Sequence, residues 1–159
     1  MIDFVELFRF YKRTTIHKFD VGLPMLRFAA HIAWRAIVHD LSKYRWSEAK
    51  GFVATNAEMR RTDANTPAYK ALCNDPRVKS CIEVHYSRNS HHPEYHALGI
   101  EQMSFLDEIE MAFDWCAASK RAHNGNAWEW CEKSRERFGH GEERRDIYRK
   151  AILFAKGGS

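Results

Sequence analysis

Apolar residues recur every three or four positions from the start of the chain. Phe4, Leu7, Phe8 and Tyr11 fall on one face of "IDFVELFRFYKRTTIHKF", which is the period of an α-helix with one buried side. Gly22 and Pro24 in "VGLPML" predict a bend or break. "MLRFAAHIAWRAIVHDLSKY" then reads as helix again, with a second break near its middle. Ser47 and Glu48 open the segment "SEAKGFVATNAEMRR", and "TDANTP" reads as a loop. "PAYKALCNDPRVKSCIEVHYSRN" is one helix or two, since Pro76 interrupts it. Pro93 pushes His92 out of the α region, which makes "SHHPEYHALGIEQM" irregular. "SFLDEIEMAFDWCAASKRAH" is the clearest helix: Ser104 can cap it, and Asp107 and Glu108 suit its first turn. "GNAWEWCEKSRERFG" follows, with Gly139 as its stop, and "EERRDIYRKAILFA" closes the chain. No strand-like alternation of useful length, internal repeat or low-complexity tract interrupts this pattern. The expected fold is all-α, a bundle of six to eight helices over residues 1–156, with "GGS" at 157–159 a disordered tail.

Composition narrows the class. The chain has 159 residues, 45% of them hydrophobic and 29% charged, the balance of a soluble domain large enough to bury a core. No apolar stretch is read as long enough to span a membrane. Asp3 and Glu6 interrupt the apolar start that a secretory signal would need, so a cytoplasmic location and no membrane partner are expected. The formal charge of +4 fits an anionic ligand, while no basic run is dense enough to announce nucleic acid. Cys73, Cys81, Cys116 and Cys131 form no CxxC pair and read as reduced core thiols. The tryptophans of "NAWEWCEKSRERF" fit an internal core or a contact between subunits equally well, which leaves oligomerisation open.

The candidate chemistry lies in the histidines and acids. The chain has nine histidines, and His85, His91, His92 and His96 fall close together. His17, His39, Asp40 and Asp114 each lie on, or at the end of, a helix whose other positions are apolar. A buried imidazole beside a buried carboxylate is costly unless both are satisfied. The His-Asp pair in "HDLSKY" could bind a metal, act as acid and base, pair with other charges, or cap a helix. Two imidazoles and two carboxylates would make a mixed N/O site for a divalent first-row metal. His31 precedes His39 by eight residues, about 12 Å on a continuous helix and too far to share an ion unless the helix breaks between them, so it reads as a core or surface residue. His96, His123 and His140 read as surface or loop residues, and Phe113 and Trp115 as core.

A His, an adjacent His-Asp and a distant Asp on a helical core resemble the HD-domain superfamily of metal-dependent phosphohydrolases. "HDLSKY", "HYSRNSHHPEYHALGIEQM", "EIEMAFDWCAA" and "SRERFG" further resemble a small family of phage and bacterial proteins with that fold. The resemblance implies His17, His39, Asp40 and Asp114 as ligands of a first metal. It also makes His85, with one of His91 and His92, candidate ligands of a second; a polar pocket wall is the competing reading of these three. One or two divalent ions are implied: Mn, Fe, Zn, Ni or Mg. Lys43, three residues after Asp40, would neutralise phosphate charge, although a helix-terminal lysine also favours the dipole. Arg88 could help similarly. Glu110, Glu48 and Glu94 could hold ligands in place, and a solvated helix face explains them almost as well. The implied function is hydrolysis of a nucleotide or other small phosphoester, with Asp40, Lys43 and His85 as catalytic candidates. An HD-fold di-iron oxygenase and a non-catalytic nucleotide-binding module are the alternatives.

Overall fold

The computed structural model describes residues 3–63, 66–122 and 124–158. The chain groups into two compact units, Met1–His39 and Asp40–Ser159, where the sequence reading expects one body over 1–156.

The first unit is a single helix, α1 (Phe4–Val38). Asp3 caps it, its carboxylate accepting from the Val5 N–H at 2.9 Å. The two breaks expected along this segment do not occur, and Pro24 sits inside the helix. Proline removes one backbone donor, and a helix of 35 residues keeps its other bonds on both sides. No residue of α1 is buried, so the apolar face carrying Phe8, Phe19, Leu26 and Trp34 is exposed. An 18-residue window of mean hydropathy 1.2, holding at most two charged residues, makes α1 long and apolar enough to cross a membrane by length and composition. This corrects the reading that no stretch reaches that length: Arg27, His31 and Arg35 interrupt the apolar run without lowering its average enough.

The second unit contains α2 (Trp46–Arg61), α3 (Pro67–Cys73), α4 (Pro76–Tyr86), α5 (Phe105–Arg121), α6 (Ala127–Phe138) and α7 (Glu142–Ala155). Short 3-10 turns cover Leu41–Tyr44, Pro93–Tyr95 and Gly99–Gln102. With α1 this makes seven α-helices and no strand among the described residues, the all-α fold expected from the periodicity. Local signals set the boundaries. Pro76 divides α3 from α4, Ser104 and Asp107 form a reciprocal capping box on α5, and Gly139 ends α6 at φ 71°. The last helix closes in the same way: Gly157, at φ 82°, donates to the Phe154 carbonyl and Gly158 to that of Leu153, both at 3.0 Å. These two residues of the expected tail are therefore a helix cap, while Ser159 lies outside the described residues.

α5, α6 and α7 enclose a core of Met111, Ala112, Cys116, Cys131, Tyr148 and Ile152, flanked by Trp115 and Trp128. All four cysteines are free thiols. α2 packs on α4, and Gly51 makes the approach close. A Cβ there would lie 2.5 Å from both the Arg77 carbonyl oxygen and the Cys81 sulfur.

Candidate metal centre

The site begins at Asp40, two residues past the end of α1. Asp40 adopts the left-handed conformation at φ 57°, which aspartate tolerates better than most residues. This turns the chain into the 3-10 turn that carries Ser42 and Lys43. The Lys43 amide donates to the Asp40 carbonyl at 2.9 Å, and its ammonium pairs with the Asp40 carboxylate.

α4 supplies His85 from its last turn, 3% exposed. Its Nδ1 lies 3.0 Å from Oε2 of Glu48, and Glu48 sits in the first turn of α2 with no solvent exposure. Ser42 Oγ donates to Glu48 at 2.8 Å and Arg88 at 2.9 Å. These contacts draw the Glu48 carboxyl below the usual carboxylate range, against the burial that would raise it. Asn89 Nδ2 also lies 2.9 Å from this Nδ1, and the Glu48 carboxylate favours the proton on Nδ1, which leaves the Nε2 lone pair for another partner. His85 Nε2 points to Asp40 Oδ1, 3.4 Å away.

His91 repeats the arrangement from the irregular segment. It is 2% exposed, its Nδ1 is 3.1 Å from Oε1 of Glu110 on α5, and its Nε2 is 3.7 Å from Asp40 Oδ1. Pro93 holds His92 in extended backbone, at φ −104° and ψ 131°, as the sequence predicts. That leaves the His92 ring 4.2 Å from His91 and 4.8 Å from His85, centroid to centroid. His92 Nε2 faces His85 Nε2 at 3.0 Å. Two such nitrogens need a proton or a cation between them.

Asp40, His85, His91 and His92 each offer one ligand atom, all within 4.8 Å of one another. This cluster could bind a metal ion, and its donors fit one. Burial, then the Lys43 charge, pushes His85 below the usual imidazole value. Burial and the neighbouring His91 and His85 take His92 down to about 2. Both rings are therefore neutral at pH 7, as metal ligation requires. Asp114, one turn after Glu110 on α5, brings a carboxylate oxygen within 4.8 Å of that of Asp40. Asp114 also lines a cleft of about 810 Å³ with Lys43, Phe52, His85, Tyr86 and His92.

Other sequence expectations fare unevenly. His39 is the C-cap of α1, and His17 lies farther back on the same unbroken helix, about 33 Å along its axis. Those two imidazoles cannot share an ion on α1, which corrects their pairing as ligands of one metal. Glu94 pairs with Arg137 at 2.7 Å. His96 is half-buried and bonds to the Ser90 carbonyl at 2.8 Å. His140 is no surface residue: it is 2% exposed, beside the Tyr148 ring. His123 lies outside the described residues. Ser42 was missed, although it stands inside "HDLSKY". Asn89, one turn after His85, bonds to Ser42 Oγ at 2.8 Å and to the His85 carbonyl at 2.7 Å.

No curated protein and no solved structure matches the sequence. One protein family, described as of unknown function, matches residues 6–153. By that match across most of its length, the chain belongs to the DUF5662 family.

Proposed function

We propose that Asp40, His85, His91 and His92 hold a divalent first-row metal ion, and that the protein is a metal-dependent phosphohydrolase of HD type acting on a nucleotide or other small phosphoester. One observation carries the reading. Two imidazoles have Nδ1 pinned by carboxylates, Glu48 and Glu110, and Nε2 turned towards one shared aspartate oxygen. Histidines that ligate metal are held in this manner, and the pinning raises their basicity. Three imidazoles with a carboxylate suit Fe, Ni or Zn better than Mg, which prefers oxygen donors.

A bound ion of this kind polarises phosphoryl oxygens and lowers the pKa of a water to about 7. The chain's own residues supply the remainder. Asp114, beside Asp40 and open to the cleft, is positioned to orient a water and take its proton. Lys43 lines the same cleft and offers its ammonium to the oxygens on which charge builds. Glu48 and Glu110 keep the His85 and His91 rings from rotating. His85 Nδ1 is engaged by Glu48 and Asn89 at 3.0 and 2.9 Å, which favours a ligand role over proton transfer for this residue.

A second reading has one observation in its favour, since the histidine-rich donor set also suits the iron of a dioxygen-using enzyme. Iron in the purified protein with an oxygen-sensitive spectrum, and no phosphatase activity, would select it. Tight nucleotide binding without turnover under any metal would select the non-catalytic module.

The test compares two variants for metal content and phosphatase kinetics. Asp40→Asn keeps a residue that tolerates the left-handed backbone while removing the negative charge, and should lose both metal and turnover. Lys43→Ala should keep its metal. Its catalytic efficiency should fall about ten- to a hundredfold, the worth of one charge-assisted phosphate contact. Full activity in Asp40→Asn would refute the hydrolase reading.

A further inference from the structure

The cleft beside the cluster is charged unevenly along its length. Lys43, Arg60, Lys120 and Arg121 line it, against a single lining carboxylate, Asp114. Lys43 and Asp114 stand at the metal-cluster end. The other three cations stand at the opposite end, and two helices place them there. α2 starts beside the cluster with Glu48 and ends at Arg61, so Arg60 lies about 12 Å along the axis beyond Phe52. α5 passes the cluster at Asp114 and ends at Arg121, about 10 Å further on. The two helix ends meet, because Asn124 just past α5 donates to Asp63 just past α2 at 2.8 Å.

Basic residues in a last helical turn favour the helix dipole, and that would account for Arg60 or Arg121 singly. It does not account for basic residues of two helices lining one cleft. Nor does an ion pair: none of Arg60, Lys120 and Arg121 has a carboxylate partner among the described residues. Tyr69, Tyr86 and Trp130 line the cleft as well and give it apolar, aromatic walls.

We propose that Arg60, Lys120 and Arg121 form an anion-binding subsite, so that the substrate is a phosphoester with a flat ring whose far end carries a second anionic group. The phosphoester end sits at Asp40 and the histidines, the ring against the aromatic walls, and the second anion among the three cations. The assignment of ends rests on the hydrolase reading, whereas the subsite does not require turnover.

The experiment uses the full chain and two probes, phenyl phosphate and 4-carboxyphenyl phosphate. Binding is measured by calorimetry without metal, and hydrolysis is followed separately with metal. The carboxylated probe should bind at least tenfold more tightly. Lys120→Gln/Arg121→Gln should lose that advantage while keeping its helical spectrum and its metal affinity. Equal binding of the two probes, binding of neither, or an advantage that survives in the variant would overturn the subsite. If the advantage behaves as expected but neither probe is hydrolysed under any metal, the subsite stands and the hydrolase reading falls.

Discussion

Glu48 has no exposed surface, yet it is a charged side chain in the first turn of a helix. Such a group persists in a protein interior only with charged and hydrogen-bonding partners, and Ser42, Arg88 and His85 supply them. Glu110 does the same for His91 from a partly exposed position, which makes it the better test of pinning. Glu110→Gln should weaken metal affinity about ten- to a hundredfold with the helical spectrum unchanged, as metal titration and circular dichroism would show. His140 gives a separate expectation. Burial, together with the charges of Arg135 and Arg144, holds its pKa below the usual imidazole value. The unfolded chain therefore takes up a proton below about pH 6.5 that the folded chain resists. Stability should be unaffected by this group above that pH. Below it, stability should fall by up to about 1.4 kcal/mol per pH unit as the pH drops towards the folded value. Denaturant titrations at pH 7 and pH 5 should show a smaller acid loss in His140→Gln than in the parent. At this scale the sequence was informative where chemistry concentrates: "HDLSKY" and "HHPE" were singled out, and Asp40, His85, His91 and His92 do converge. The sequence offered a ligand-holding role for Glu48 but could not separate it from a solvated helix face, because an acid in a first helical turn is ordinary and only its burial marks it.

Helix ends were more legible than helix partners. Pro76, Ser104, Gly139 and Pro93 act through backbone geometry within a few residues, so the sequence carries their effect directly. Pro24 carried less weight than expected, since one lost hydrogen bond does not end a long helix. The period of α1 announces an apolar face but says nothing of what covers it. Packing of α2 on α4 was likewise hidden, because Gly51 in "AKGFVA" looks like a weak spot in a helix. In the fold it is the point of closest approach. Gly51→Ala should cost about 1–3 kcal/mol through overpacking. It should also loosen metal binding, because Glu48 and His85 ride on the two helices it forces apart. Adding Cys81→Ala should restore only part of the loss, since the Arg77 carbonyl oxygen still blocks the new Cβ. Thermal melts and metal titrations of the single and double variants would check this.

For the molecule as a whole, the proposed metal centre links cation binding to folding. Imidazoles and a carboxylate brought together only in the fold would give a cation preferential affinity for the folded state. Stability should then rise by about 2.7 kcal/mol at a free metal concentration one hundred times the dissociation constant. Chelation should reverse the gain, as melts with and without metal would record. The central claim is that the cluster is a metal centre, and direct calorimetric titration of chelator-stripped full-length protein with Zn²⁺, Fe²⁺ or Ni²⁺ tests it. The account predicts a tight, saturable site that is lost in the double variant Asp40→Asn/His92→Ala. Absence of tight binding for every metal, or a site that persists unchanged in that variant, would contradict it.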